Sequence, residues 1–563
     1  MTKRINRLRL VLAPCVLLTL TTGAIALRAP TPPLKDRVSA AETVFLGKVI
    51  NRAEDGDWVR AELLVEQPLR NAEKGMKIEV TWRTRVGSFF IYDVAEGTRG
   101  VAILKDKHKG RYWLRADKFE DSSKLAEVKA MILPAANWVI PQPQRAEYSG
   151  KLLDLGSALA CVKCDSKNLK ARLAELADRW GVPMVDRPAD KPCTRVTITF
   201  AAKDDALARE RERGEQGYVL TIAKGARDTL VTIHGGDEAG AFYGLQSLRQ
   251  LVVKQDGKPY LRSASIKDWP AIKRRGLIFG CRDKIDSLVN VLDFCSGLKL
   301  NYFLEVDVRG KLAGKVENQV RACKSFCDGH YIEQCALMGY RDRLTKMPRA
   351  ELLKYFDLRY RLGFRSFTVN FDDTGLKTQQ QAQATADKHA DIVNALYQHL
   401  RGRDPKVQLV MCPIPYGGRP DKKFCFASVA VASKYLNVIE AKLPKDVAVF
   451  WTGDEGVWSS NVTAEGARLF GGVIGRKPFM WDNNPIRFAN KRQPLSGRQP
   501  KLYTQLSGYV ANLNEHETRW RPDHNVQFTL ATIAMYTWNP EHYNPEQAAA
   551  AAAKYLSKLY PSK

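Results

Sequence analysis

From Ile272 onward, short apolar runs alternate with amphipathic helical stretches, and this alternation narrows the possible folds more than any other feature of the chain. Strand candidates fall at 274–280, 299–306, 364–371, 407–413, 447–452, 477–482 and 507–512. Between two of them, Ile392, Leu396 and Leu400 line one face of a helix. Before 364–371, the stripe Leu352, Phe356, Tyr360 stops at Gly363, a helix-ending residue. The alanine run 548–553 is simply a strong helix former. About eight such units in succession predict an α/β fold, a (β/α)8 TIM-like barrel over 268–563.

The remaining length is ample for further domains, each with its own core. Residues 150–267 mix a helix at 168–179 with alternating strands, Val196-Thr197-Ile198-Thr199-Phe200, Tyr218 to Ile222 and Leu230 to Ile233. They close on a helix with Ala241, Leu245, Leu248 and Leu251 at helical spacing, which reads as an α+β domain. Residues 40–140 hold only strand-like runs with Gly- and Asp-bearing turns, the pattern of a small β domain, with closure into a barrel one option. Between these domains, Pro141-Gln142-Pro143-Gln144 breaks both helix and sheet, so 141–149 is expected to be a linker.

Residues 1–26 read as a secretory signal peptide: Lys3, Arg4, Arg7 and Arg9, an apolar run from Leu10 to Leu20, then Ala24-Ile25-Ala26. Export to a periplasmic, extracellular or envelope-associated location is therefore expected, with retention as an uncleaved anchor the alternative. An oxidising compartment permits disulfides, and Cys161-x-x-Cys164 lacks the partners that would complete a zinc site. A disulfide, with Cys193 as one candidate partner, is the expectation there, and another within Cys323, Cys327 and Cys335. Lys and Arg exceed Asp and Glu by 88 − 61, a net charge of +27 that favours anionic polymers or envelope surfaces. The basic residues are dispersed and no nucleic-acid-binding signature is present, so no nucleic acid partner is expected.

In a βα barrel the reactive groups stand where strands open into loops at their C-terminal ends. Phe371 is followed by Asp372-Asp373-Thr374-Gly375; strand 407–413 leads to Tyr416; strand 447–452 ends in Trp451-Thr452-Gly453-Asp454; strand 477–482 runs into Asp482-Asn483-Asn484; the last ends in Asn512. Aromatics, amides and carboxylates thus share one rim. That is the surface a sugar needs: aromatic faces stack on ring C–H groups, amides and acids bind hydroxyls, and a carboxyl pair divides acid and base roles. Elsewhere an Asp-Asp pair is more often a helix cap or a turn, and the strand-end position favours chemistry.

The segments Gly217 to Ile222 and Ile233-His234-Gly235-Gly236-Asp237-Glu238 through Gln246 resemble the non-catalytic α+β domain of β-N-acetylhexosaminidases. Asp268-Trp269-Pro270 and Arg275-Gly276-Leu277 resemble the approach to their first barrel strand. The strings Phe364 to Asp373, Gln408 to Pro413 with Tyr416, Trp451-Thr452-Gly453-Asp454, Trp481-Asp482-Asn483 and Ser507 to Asn512 resemble the O-GlcNAcase family, glycoside hydrolase family eighty-four. The resemblance spans roughly 150–563.

It implies a retaining glycosidase in which the sugar's own 2-acetamido oxygen attacks the anomeric carbon to form an oxazoline. By this resemblance Asp372 binds the acetamido N–H, and Asp373 is the acid and then the base. Tyr416 binds the acetamido oxygen; Cys412, Thr452 and Trp481 wall its methyl group; Asn483, Asn512 and the Gly280 backbone contact the sugar. No metal or other cofactor is implied, and the expected partner is an N-acetylhexosamine-containing glycan or glycoconjugate. Two family contacts are missing: a lysine after the second strand, where Phe303-Leu304-Glu305-Val306-Asp307 stands, and an aspartate beyond the Trp-Asp-Asn string, where Phe488 stands. Glu305, Asp307 and Arg487 are the candidates to replace them. The rival readings are a carbohydrate-binding pseudoenzyme and an exported adhesion or structural protein.

Overall fold

The computed structural model describes residues 34, 37–38, 41, 43–70, 75–83, 85–86, 89–90, 95–104, 107–108, 111–113, 119–124, 138–164, 166–185, 192–201, 214–280, 285–306, 315–338, 343–513 and 524–560. The expected signal peptide and Asp307 lie outside them. The chain divides into two compact units, Met1–Leu133 and Pro134–Lys563.

In the first unit, seven strands pair in the linear order 107–108, 111–113, 77–83, 58–70, 43–55, 99–104, 119–121. Val59, Ala61, Leu63 and Val65 alternate inward along one strand and meet Phe45, Val80, Trp82 and Leu104 in a core. No ladder among the described residues joins the two ends of the sheet, so it is an open sheet there and not a barrel.

The second unit begins with a mixed sheet whose strands include Arg145–Asp154, Lys258–Asp268, Tyr218–Lys224, Thr229–Gly235, Thr194–Phe200 and Leu159–Cys164. The helix Glu238–Leu251 packs on it, capped by Asp237, which accepts from the Gly240 N–H. Gly240 is required here because a Cβ would lie 2.0 Å from the Gly217 carbonyl oxygen.

The expected linker at 141–149 is not one. The break between units falls after Leu133, and 145–154 is a strand of this sheet. Gln250 clamps the Ile140 backbone through N–H and carbonyl at 2.8 and 2.6 Å, while the Gln144 N–H donates to Asp268. Proline forbids helix and ladder bonding but not burial, and the glutamines supply the missing hydrogen bonds.

The barrel consists of eight parallel strands: β1 (Arg275–Gly280), β2 (Tyr302–Val306), β3 (Glu333–Met338), β4 (Ser366–Asn370), β5 (Gln408–Cys412), β6 (Ala448–Trp451), β7 (Phe479–Asp482) and β8 (Gly508–Asn512). Pairing of β1 with β8, Arg275 to Tyr509 and Ile278 to Asn512, closes the ring. Alternation then sorts the side chains. Ile278, Tyr302, Leu304, Cys335, Val410, Cys412, Phe450, Phe479 and Val510 fill the interior. Phe367, Val369, Leu409, Met411, Val449 and Met480 face the helices outside. At Gly276 a Cβ would lie 1.6 Å from the Tyr302 carbonyl, so β1 and β2 approach as only glycine allows.

Seven of the eight strands fall within the expected runs. The one not anticipated, β3, is Glu333-Gln334-Cys335-Ala336-Leu337-Met338, whose polar start hides it. The expected disulfide within Cys323, Cys327 and Cys335 is not formed: all three are free thiols, Cys335 pointing into the barrel and Cys323 and Cys327 lying on the helix Lys315–Gly329 outside it. Cys193 likewise keeps its thiol, which donates to Asp228.

The α+β domain and the barrel share a buried polar hub. Asp268, fully buried, accepts from Tyr218 Oη at 2.7 Å, Trp538 Nε1 at 2.7 Å and Lys299 Nζ at 3.0 Å. Burial pulls the Lys299 ammonium below its usual range, and the Asp268 charge opposes that shift. Lys299→Ala strands a buried carboxylate and is expected to cost about 3–5 kcal/mol. Urea unfolding checks this: the midpoint falls, and Lys299→Met combined with Asp268→Asn recovers part of the loss.

Candidate active site

The loop leaving β4 is held from both sides. The Phe371 N–H donates to the Cys412 carbonyl at 3.0 Å, and the Phe371 ring stacks on His389 at 3.7 Å. His389 is held in turn by the Tyr435 hydroxyl at 2.6 Å. Asp373 then adopts φ 57°, a left-handed conformation that an aspartate tolerates better than most residues. It accepts from Tyr416 Oη at 2.9 Å. Burial, and then the nearby Cys412 and Asp373, push the Tyr416 hydroxyl far above its usual range, so at neutral pH it is a hydrogen-bond donor. The Cys412 thiol is pushed up by burial and by the charges of Asp372, Cys425 and Asp373.

The far wall is one hydrogen-bonded chain. Asn483 Oδ1 accepts from Trp481 Nε1 and Asn512 Nδ2, each at 2.8 Å, while Asn483 Nδ2 donates to the Val457 carbonyl at 3.0 Å. Both lone pairs of that oxygen are used, leaving the second Nδ2 hydrogen for a ligand. Trp481 stands edge-on to Phe450, with centroids 5.0 Å apart, so its orientation is set. Thr452 closes the gap between the walls: its N–H donates to the Tyr416 carbonyl at 2.9 Å and its hydroxyl to Gly456. Gly417 admits that hydroxyl, since a Cβ there would lie 2.3 Å from Thr452 Oγ1. Gly280 ends β1 at the same rim. Cys412, Tyr416 and Trp481, with Val457 and Cys425, form one cluster at the mouth. The residues singled out from sequence therefore come together.

Other acids on this rim are committed to structure. Asp482 is buried in a fork with Arg498, at 2.8 and 2.5 Å, and also takes the Tyr509 hydroxyl. Asp454 accepts from the Thr463 N–H and hydroxyl at 2.9 and 2.7 Å and pairs with Arg419 at 3.3 Å. Trp451 donates its indole N–H to the Gly418 carbonyl and stacks on Phe470 behind the barrel wall.

Two of the proposed replacements have partners of their own. Glu305 faces outward between helices, where its carboxylate accepts from Gln334 at 2.8 Å and burial raises its proton affinity. Arg487 lies over the Trp458 ring at 5.6 Å. Phe488 is buried in the outer core. Val457 and His389 were not anticipated from sequence. An apolar residue in a Gly-rich loop, and a histidine inside a long helix, carry no local signal of the contacts they make.

A barrel rim of aromatics, amides and carboxylates is suited to binding a sugar. Residues 340–562 match the family model NAGidase, beta-N-acetylglucosaminidase, and residues 137–269 match the second domain of glycosyl hydrolase family 20. Over these two segments the chain is similar to β-N-acetylglucosaminidases and to the hexosaminidase-type domain that precedes their barrel. Its fold is similar to the solved structures of CpGH84B, at 18% identity over 74% of either chain with TM-score 0.61, and CpGH84D, at 19% identity over 74% of this chain and 72% of that one with TM-score 0.58. A variant of the Thermobaculum terrenum O-GlcNAc hydrolase overlaps less, at 20% identity over 51% of this chain and 63% of that one, with TM-score 0.43.

The division of the acids is testable by melting. Asp482→Asn leaves Arg498 buried without its counter-charge and is expected to destabilise by about 3–5 kcal/mol. Asp373→Asn and Asp372→Asn, at half-buried loop positions, are expected to stay within about 1 kcal/mol of the parent. Calorimetry of the three variants checks the contrast.

Proposed function

We propose that the protein removes β-linked N-acetylglucosamine, or a related 2-acetamido sugar, with retention of configuration and through an oxazoline formed by the substrate's own acetamide. The observation that carries this reading is the Tyr416–Asp373 hydrogen bond beside Asp372 and Cys412. Tyr416 has a single proton to give. In the structure it goes to Asp373; a bound acetamido oxygen would take it, releasing the Asp373 carboxyl to hold a proton and pass it to the leaving oxygen. Asp372 would receive the acetamido N–H and balance the positive charge that develops as the carbonyl oxygen attacks the anomeric carbon. With the leaving group gone, Asp373 would take a proton from the water that opens the ring. Cys412, Thr452 and Trp481 would enclose the acetamido methyl, and Asn483, Asn512 and Gly280 would bind the sugar. A long-lived thiolate is disfavoured at Cys412 by burial, so its role would be packing.

The expected signal peptide makes an exported enzyme acting on envelope or extracellular glycans our reading of its location. One observation favours the pseudoenzyme alternative: Phe488 and the outward-turned Glu305 leave the far edge of the sugar without the two charged contacts usual in the family. Turnover decides between them. Aryl N-acetyl-β-glucosaminide should be hydrolysed with the β-anomer formed first by proton NMR, and the matching aryl glucoside, lacking the acetamide, should not. Asp373→Asn should lower kcat by about 10²–10⁴. Equal hydrolysis of the two glycosides would overturn the mechanism, and activity no higher than that of Asp373→Asn would favour the pseudoenzyme.

A further inference from the structure

Just outside the acetamido pocket, two aromatic rings and a cation stand exposed on neighbouring loops. Phe426, in the loop after β5, is 36% exposed and holds φ 62°, a left-handed conformation that a bulky residue seldom adopts. Its ring centroid is 5.5 Å from that of Tyr416, and its carbonyl accepts from the N–H of Leu376, on the loop that carries Asp372 and Asp373. Trp458, in the loop after β6, is 38% exposed and directly follows Val457, whose carbonyl is bound by Asn483. The two loops converge just before their aromatics, where Cys425 and Val457 pack against the same cluster. Arg487, exposed on the turn after β7, holds its guanidinium 5.6 Å over the Trp458 ring. Among the described residues no carboxylate pairs with Arg487; Glu455, in the same loop as Trp458, is engaged by the Ser460 N–H at 2.7 Å.

We infer that Phe426, Trp458 and Arg487 form a second sugar subsite on the leaving-group side of the mouth, built for an acidic sugar residue bearing a carboxylate or sulfate. The inference rests on the glycosidase reading above and extends it to the residue next to the one cleaved. Exposed aromatic surface normally costs hydration free energy, and at the rim of a sugar site it is what the apolar face of a pyranose covers. A cation beside that ring selects for charge: a carboxylate or sulfate takes charge-assisted hydrogen bonds from the guanidinium, and a neutral hydroxyl gains less. The net charge of +27 draws the same class of polymer toward the protein.

The test uses three substrates on the full chain: N-acetyl-β-glucosaminyl fluoride, which has no second sugar, β-N-acetylglucosaminyl-glucuronate, and its neutral counterpart β-N-acetylglucosaminyl-glucose. The glucuronate is expected to exceed the glucose disaccharide in kcat/KM by about fivefold or more, and Arg487→Gln should bring that ratio to about one. Arg487→Glu should invert it. Trp458→Ala should lower both disaccharides by about tenfold relative to the fluoride. A sulfated disaccharide in parallel tells which anion fits better. A parent ratio near one, or a ratio that Arg487→Gln leaves intact, would overturn the subsite. If the parent fails on all substrates including the fluoride, the hydrolase reading falls. In that case calorimetric binding of the glucuronate disaccharide to the parent and to Arg487→Gln still decides the subsite, which stands if the binding is Arg487-dependent and falls if it is not.

Discussion

The ladder between β1 and β8 is the constraint on which the rest of this molecule depends. A parallel strand leaves no edge unpaired only when the ring closes, and closure brings the C-terminal ends of all eight strands to one rim. Alternation along each strand then admits one set of side chains to the interior and sends the other to the helices. Cys412 reaches the mouth because it is two residues on from Val410 on the inner face of β5, and Glu305 fails to reach it because it follows Leu304 by one.

The rim holds more carboxylates than the chemistry uses, and hydrogen bonding sorts them. Asp482 meets a guanidinium fork and a phenol in a site with no water-facing side, so its charge is spent on joining β7 to β8 and the Arg498 segment. Asp454 caps a helix through Thr463. Asp373 is different in kind: its partner is the Tyr416 hydroxyl, which in the proposed mechanism the substrate would take away. A carboxylate whose partner is exchangeable is suited to moving a proton, whereas one fixed by a buried cation is suited to holding a fold.

Much of the fold was legible because a strand covered on both faces is written as an uninterrupted apolar run, as in Phe367-Thr368-Val369-Asn370-Phe371, and the intervening helices declare themselves by stripe. The eighth strand was not legible, since β3 opens on Glu333 and Gln334, which are tied to Arg274 and Glu305 from other elements. The same region invited a disulfide because cysteines close in sequence give no hint that a strand wall separates Cys335 from Cys323 and Cys327. Pro141 to Gln144 looked like a linker for a related reason: composition reports what a segment lacks locally, not the glutamine bonds that bury it.

The sequence by itself determined the barrel class, the α+β domain before it, and the strand-end residues Asp372, Asp373, Tyr416, Trp481 and Asn483, because these depend on periodicity and on position relative to a strand. Only the tertiary structure decided which acids are committed to the scaffold, that Glu305 turns away from the sugar, and that Phe426, Trp458 and Arg487 border the mouth from three loops. Those outcomes depend on contacts between segments far apart in the chain, where the orientation and hydrogen-bond partners of each side chain are set by packing and not by its neighbours in sequence.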